Sequence, residues 1–330
     1  MRFFGVIAGL LASVTVFGAV PAVAVERDAP IGWHVPWAIG GPRVVDGVVV
    51  DSAPDRPGAP VGSVRLWDTR TAWLHVEPAR GRFNWAGLDA HVAAATEMGA
   101  ADVTLVLAGA PSWAADGRDD VAAPWLGAGS NRPPVDIADW ANYVSAVAER
   151  YRGRVTAYEV GNEANLDWFW TGTPAQYAGL VVAATSAIRA VDPAALVVAG
   201  GPVTHTPRLT GPARAWNTEY FTSLRTALQT AGVTVDGYSF HYYPVQWSQR
   251  AFTLAVRDYR ASIRDAGLPA GAVWVTEINT YDQSVNCTRI VTDVRDALKN
   301  RDRGYVYAFG ADVLHDGMRP VDNDCIRAAR

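Results

Sequence analysis

The stretch that decides the fold is Val155-Thr156-Ala157-Tyr158-Glu159-Val160-Gly161-Asn162-Glu163-Ala164-Asn165-Leu166. Its first half is a short β-rich run of the kind that forms a strand buried on both faces. At Gly161 the run gives out into polar residues. A helix then starts at Thr173-Pro174, a capping residue followed by proline at the first helical position, and runs to Val191-Asp192-Pro193. Strand, polar turn and amphipathic helix together make one α/β unit.

The unit recurs in both directions. Strands are expected at Ile31–Val35, Ser63–Trp67, Asp102–Leu107, Val155–Gly161, Ala195–Gly200, Asp236–His241, Val273–Glu277 and Tyr305–Phe309. Helices are expected at Ala86–Met98, Ile137–Tyr151 (capped by Asp136), Arg214–Thr230, Gln249–Asp265 and Cys287–Asn300. Eight strands alternating with helices predict a TIM (β/α)8 barrel, in which functional groups gather at the C-terminal strand ends. The first unit is irregular, because Val44 to Val50 reads as a hairpin on an Asp46-Gly47 turn. Only a short eighth helix fits after the last strand. A doubly wound sheet would carry a glycine-rich phosphate loop after its first strand, and none is present.

The chain of 330 residues opens with Arg2, an apolar run from Phe3 to Val20, then Pro21 and Ala22-Val23-Ala24. That is the pattern of a signal peptide over residues 1–24, which leaves residues 25–330 as one barrel domain of secreted protein. A membrane anchor is the alternative, but no basic stop-transfer cluster follows, and no later segment is long and apolar enough to span a bilayer. The 29 basic and 33 acidic residues are scattered, with Lys299 the single lysine. No basic stripe suggests nucleic acid, and a monomer is expected. Cys287 and Cys325, the two cysteines, would make one disulfide in an oxidising compartment.

Of thirteen tryptophans, Trp33, Trp37, Trp113, Trp125, Trp168, Trp170 and Trp247 fall in segments that read as loops. Trp85, Trp140 and Trp274 fall in helix or strand patterns and read as core. An indole offers a flat apolar face and one N–H, which suits a sugar ring, although some loop indoles simply pin loops down.

Several chemistries are pruned by absence. There is no Gly-x-Ser-x-Gly elbow, no Walker loop and no His-Glu-x-x-His. The six histidines show no zinc spacing, so neither a metal nor another cofactor is expected. What remains is Glu163 after the fourth strand and Glu277 at the end of the seventh. Two carboxyl groups about 5–5.5 Å apart are what a retaining glycosidase needs, one as proton donor and one as nucleophile.

Further segments fall into a familiar order. Arg65-Leu66-Trp67-Asp68 resembles a second-strand arginine motif, and Trp73 to Trp85, with Glu77-Pro78, Gly81 and Phe83, resembles a W-x-x-x-E-P-x-x-G-x-F/Y-x-W stretch. Ala110-Pro111-Ser112-Trp113 resembles a third-strand Pro-x-Trp. Asn162-Glu163-Ala164-Asn165-Leu166 resembles Asn-Glu-Pro-Asn-Leu, and His241-Tyr242-Tyr243-Pro244 a sixth-strand His-x-Tyr. Over roughly residues 31–310 the chain resembles the retaining glycoside hydrolases of clan A, most closely family 39 and the family 5 cellulase-like enzymes.

The resemblance implies Glu163 as acid/base and Glu277 as nucleophile, with Asn162 on the sugar 2-hydroxyl and Arg65 and Tyr243 holding Glu277 ionised. His241 would line the same floor, either as a satisfied core histidine or in contact with substrate. Arg65 has its own alternative, a buried structural ion pair with Glu159. The charge of Glu277 is expected to raise the pKa of Glu163 by repulsion. The usual eighth-strand Trp is missing, and Phe309 or Tyr307 stands in its place. Trp113, Trp168, Trp170 and Trp247 are expected platforms for a polysaccharide or oligosaccharide, with attack inside the chain favoured. The segment 108–136 would instead wall off one end in an exo-acting enzyme. A non-catalytic glycan-binding barrel is the rival from another class, and it would need neither glutamate.

Overall fold

A computed structural model describes residues 31–36, 38–45, 48–67, 69–115, 126–309, 318 and 321–329. The leader 1–24, Trp37, the Asp46-Gly47 turn and Trp125 lie outside the described residues. In chain order the elements are β1 (Ile31–Trp33), β2 (Gly41–Val45), β3 (Val48–Ser52), β4 (Ser63–Leu66), α1 (Trp73–Val76), α2 (Ala86–Glu97), β5 (Asp102–Leu107), α3 (Ile137–Tyr151) and β6 (Ala157–Val160). They continue with α4 (Pro174–Val191), β7 (Leu196–Ala199), β8 (Val203–Thr204), α5 (Gly211–Ala231), β9 (Gly237–Tyr242), α6 (Gln249–Asp265), β10 (Ala272–Ile278), α7 (Cys287–Ala297), β11 (Arg303–Val306) and α8 (Asn323–Ala328).

Eight of the strands close into a parallel barrel in the order β1-β4-β5-β6-β7-β9-β10-β11, with β11 returning to β1. This is the expected TIM barrel. Each expected strand is present, with ends moved by up to three residues. The irregular first unit is the antiparallel hairpin β2–β3, paired from Gly41↔Ser52 to Val45↔Val48. The eighth helix, α8, has six residues. One strand position differs from expectation: the fifth breaks at Gly200-Gly201-Pro202 and resumes as β8 beside β9.

Local signals set the helix starts. Asp136 caps α3 by accepting from the Ala138 amide, and Thr173 with Gln176 forms a reciprocal capping box on α4 ahead of Pro174. The main apolar core lies between helices and barrel, where Tyr158, Val160, Val273 and Val275 meet residues of α3, α4 and α7. Inside the barrel a smaller cluster of Ala157, Val198, Ala272, Trp274 and Tyr305 closes the floor. The alternation of strand side chains sends the remaining inward positions toward the C-terminal mouth. Among the described residues no helix is long and apolar enough to cross a membrane.

Candidate active site

The inward positions just above that floor are polar. Arg65 on β4 sits fully buried at their centre. Its Nε donates to Glu159 Oε2 at 2.5 Å and its Nη1 to Glu277 Oε1 at 2.7 Å, while Nη2 reaches Asn162 Oδ1 at 3.2 Å. Both roles weighed for Arg65 are therefore filled by one guanidinium. Burial alone would lower its pKa, but the two carboxylates outweigh burial and raise it. Glu159 takes two further donors on Oε1, Ser239 Oγ at 2.6 Å and Thr276 Oγ1 at 2.7 Å. Burial pushes its carboxyl up, yet Arg65, with the Ser239 hydroxyl, holds it below its ordinary value.

Two backbone irregularities aim the glutamates. In β10, Ala272, Trp274 and Thr276 face inward by simple alternation, so Glu277 would face the helices. A register shift against β9 intervenes: Val275 pairs with Phe240, but Glu277 pairs with His241. This bulge gives β10 one extra residue and turns Thr276 and Glu277 both into the barrel. After β6 the chain turns at Gly161, at φ 88°, where a Cβ would lie 1.8 Å from the Tyr177 hydroxyl. Glu163 itself has φ 41°, a left-handed conformation uncommon for a side-chain-bearing residue and often found at functional sites.

The result is a close pair. Carboxylate oxygens of Glu163 and Glu277 and a ring nitrogen of His241 lie within 4.8 Å of one another. His241 Nδ1 is 2.7 Å from Glu163 Oε1 and 3.4 Å from Glu277 Oε2, and its Nε2 is 3.5 Å from Arg65 Nη2. Burial takes the imidazole down to about 4, so it is neutral at pH 7. Carboxylates only accept and Arg65 only donates, which assigns the ring proton to Nδ1. His241 is therefore buried, with both ring nitrogens within reach of a side-chain partner. Tyr243 donates to Glu277 Oε2 at 2.6 Å. Donor spacing alone would let the three side chains hold a cation, but the Arg65 guanidinium already supplies a fixed positive charge at Glu277.

The two glutamates have different surroundings. Glu163 is raised to about 7, and burial is the first cause, with Arg65 and His205 pulling it back. The expected cause was repulsion from Glu277; desolvation leads instead, because Glu163 is only 8% exposed. With Oε1 facing His241, its Oε2 has no hydrogen-bond partner among the described residues. Asn162 spends its amide oxygen on Arg65, and its Nδ2 likewise has no partner among them.

A family model described as cellulase (glycosyl hydrolase family 5) matches residues 89–309. The chain belongs to glycosyl hydrolase family 5. Two curated relatives align over 95 residues, or 28% of this chain: endo-1,4-beta-xylanase A of Fusarium oxysporum f. sp. lycopersici, 38% identical, and endo-1,4-beta-xylanase 1 of Gibberella zeae, 35% identical. The match spans about a quarter of the length of these relatives. Among solved structures, a glucosidase from Croceicoccus marinus superposes with TM-score 0.63 at 17% identity, covering 92% of this chain and 66% of that one. A glycoside hydrolase family 39 β-xylosidase from Caulobacter crescentus gives TM-score 0.60 at 21% identity, covering 87% and 63%. These structural likenesses show the shared barrel.

In this family 5 barrel the expected aromatic platforms part company. Trp168, in the loop after Glu163, is 60% exposed. Trp170 is 6% exposed, donates its N–H to the Thr173 carbonyl and packs on Tyr177; it is core. Trp113 is half-buried, with its N–H on the Glu77 carbonyl, its ring edge on Trp73 and Arg80 over one face. Trp247 is stacked on Phe252 and bonded to Asp293. Trp113 and Trp247 each bond their N–H to a distant element and Trp170 bonds its own to Thr173, three residues on, so all three indoles are held by the protein itself. Trp33, read as a loop residue, is buried in β1. Phe309 is buried in the core and bridged to Val321; Tyr307 is the half-buried aromatic beside Tyr243 and His34.

Sequence reasoning missed His34, His205, Ser239 and Thr276. His34 lies one residue beyond β1, with Nε2 3.0 Å from the Thr276 carbonyl and 3.3 Å from Arg65. Its place at a strand end was the available signal. Ser239 and Thr276 carried none, because a strand hydroxyl is ordinary until its partner is known.

Proposed function

We propose that this chain is an exported, retaining glycoside hydrolase acting on a β-linked polysaccharide or its oligosaccharides. The observation that carries the proposal is the carboxylate pair within 4.8 Å, near the separation of retaining enzymes and well short of the roughly 6.5–9.5 Å that makes room for an inverting water. Glu277, facing the donors Arg65 and Tyr243, attacks the anomeric carbon as carboxylate. Glu163 gives its proton to the glycosidic oxygen as that bond breaks. The sugar is then held as an ester on Glu277, and Glu163, now ionised, takes a proton from the water that releases it. A group titrating at about 7 suits both transfers. Asn162 Nδ2 is placed to donate to the 2-hydroxyl. A binding barrel would have no use for this proton inventory.

The relatives' names make β-1,4-xylan and cellulose the first substrates to test, with internal cleavage as the working mode. Export is supported by the apolar leader and by the Cys287–Cys325 disulfide.

Removing the two glutamates distinguishes their roles. Glu277→Gly should abolish turnover, and added azide should give a glycosyl azide of inverted configuration. Glu163→Ala should slow substrates with poor leaving groups most and, on activated aryl glycosides, yield an azide product of retained configuration. Equal loss on activated and unactivated substrates, with no azide product from Glu163→Ala, would refute the assignment of the acid.

A further inference from the structure

We infer that His205 binds the departing half of the substrate, accepting a hydroxyl from the sugar that leaves first; this rests on the hydrolase reading above. The interrupted fifth strand places it. At Gly200-Gly201 the chain is pressed between its neighbours, since a Cβ on Gly200 would lie 2.3 Å from the Val160 carbonyl and one on Gly201 1.8 Å from that of Ser239. Beyond Pro202 the strand resumes as β8, with Val203 opposite His241 and Thr204 opposite Tyr242. Asn165, two residues after Glu163, clamps β8 from the other side. Its Oδ1 accepts from the Val203 amide at 2.9 Å and its Nδ2 donates to the Val203 carbonyl at 3.3 Å.

His205 is thus tied to both the acid loop and the Tyr243 strand. Its Nδ1 is 2.8 Å from the Tyr243 carbonyl oxygen. A carbonyl can only accept, so Nδ1 carries a hydrogen, and in that tautomer the Nε2 lone pair is an acceptor of fixed direction. Nε2 has no partner among the described residues, and His205 is exposed at the rim, close enough to Glu163 to act on that carboxyl electrostatically.

Position then assigns the ligand. The proton of Glu163 goes to the leaving oxygen, so groups on the open side of Glu163 border the departing sugar. The opposite side is filled by Arg65 and Tyr243 on Glu277. A departing sugar offers hydroxyls to Nε2, whereas a nitrophenyl group offers none.

The test compares a β-1,4-xylo-oligosaccharide with a nitrophenyl glycoside of the same sugar in wild type, His205→Ala and His205→Gln. His205→Ala should lower kcat/KM on the oligosaccharide about five- to tenfold more than on the nitrophenyl glycoside, the size of one neutral hydrogen bond. His205→Gln, whose amide oxygen accepts, should recover most of that selective loss. The partition of the sugar–enzyme between transfer to added xylo-oligosaccharide and hydrolysis, which is independent of the folded fraction, should shift several-fold toward hydrolysis in His205→Ala. Equal losses on both substrates with an unchanged partition would overturn the assignment. A wild type that releases sugar from no xylo- or cello-oligosaccharide or aryl glycoside would instead fell the hydrolase reading, and this inference with it.

Discussion

Glu163→Gln should stabilise the protein in alkali and leave it unchanged in acid. Burial lifts the Glu163 carboxyl from the ordinary 4.5 to about 7. Below 4.5 the folded and unfolded chains both hold the proton, and the residue costs nothing. As pH rises through 4.5 the unfolded chain ionises first, so stability falls until the folded carboxyl ionises as well, near 7. The gap, at about 1.36 kcal/mol per pH unit, amounts to about 3 kcal/mol, fully developed above pH 7. Glutamine has almost the same shape, does not titrate, and its amide oxygen can still accept from His241 Nδ1. Denaturant unfolding of wild type and variant from pH 4 to 9 isolates the effect, because other titrations largely cancel in the difference. The variant's advantage should open between about 4.5 and 7 and then level off. A flat difference, or a wild type that gains on the variant as pH rises, would mean that Arg65 holds Glu163 ionised in the fold, and the reasoning from burial would fail. The same ionisation should appear as an alkaline limb near pH 7 in kcat/KM.

The disulfide and the tryptophans give two more outcomes. Cys287 and Cys325, 38 residues apart, tie α7 to α8; Cys325→Ser should cost about 3–4 kcal/mol by denaturant unfolding, and thiol titration of the denatured, unreduced protein should find no free thiol. Trp168→Ala should raise KM on polysaccharide with stability within about 0.5 kcal/mol of wild type, whereas Trp170→Ala should destabilise by about 3–5 kcal/mol; the reverse pattern would exchange their roles.

The bulge in β10 explains why a plain strand reading undersells this site. Period-2 alternation accounts for Glu159, which faces Arg65 from the middle of β6 with no special geometry. It fails for Glu277, one residue out of phase with Trp274 and Thr276, until the register shift against β9 is included. A bulge of this kind leaves no trace in an apolar run such as Val273-Trp274-Val275-Thr276. The left-handed turn at Glu163 is more legible, since Gly161 stands two residues before it.

By itself the sequence determined the barrel, its order of elements and the strand ends at which the glutamates stand. Those depend on local signals: apolar runs of strand length, caps such as Asp136 and Thr173, and polar residues where each run stops. It also set Asn162, Arg65, His241 and Tyr243 beside the glutamates through motifs on neighbouring strands. Tertiary structure decided everything that depends on a partner far along the chain. Whether an indole is exposed or core turned on its burial, as Trp168, 60% exposed, and Trp170, 6% exposed and two residues on, make plain. Arg65 serves Glu159 and Glu277 together only because barrel closure brings β4, β6 and β10 around one axis. The raised pKa of Glu163 comes first from desolvation, and burial is a property of the closed barrel that no residue type or spacing carries on its own.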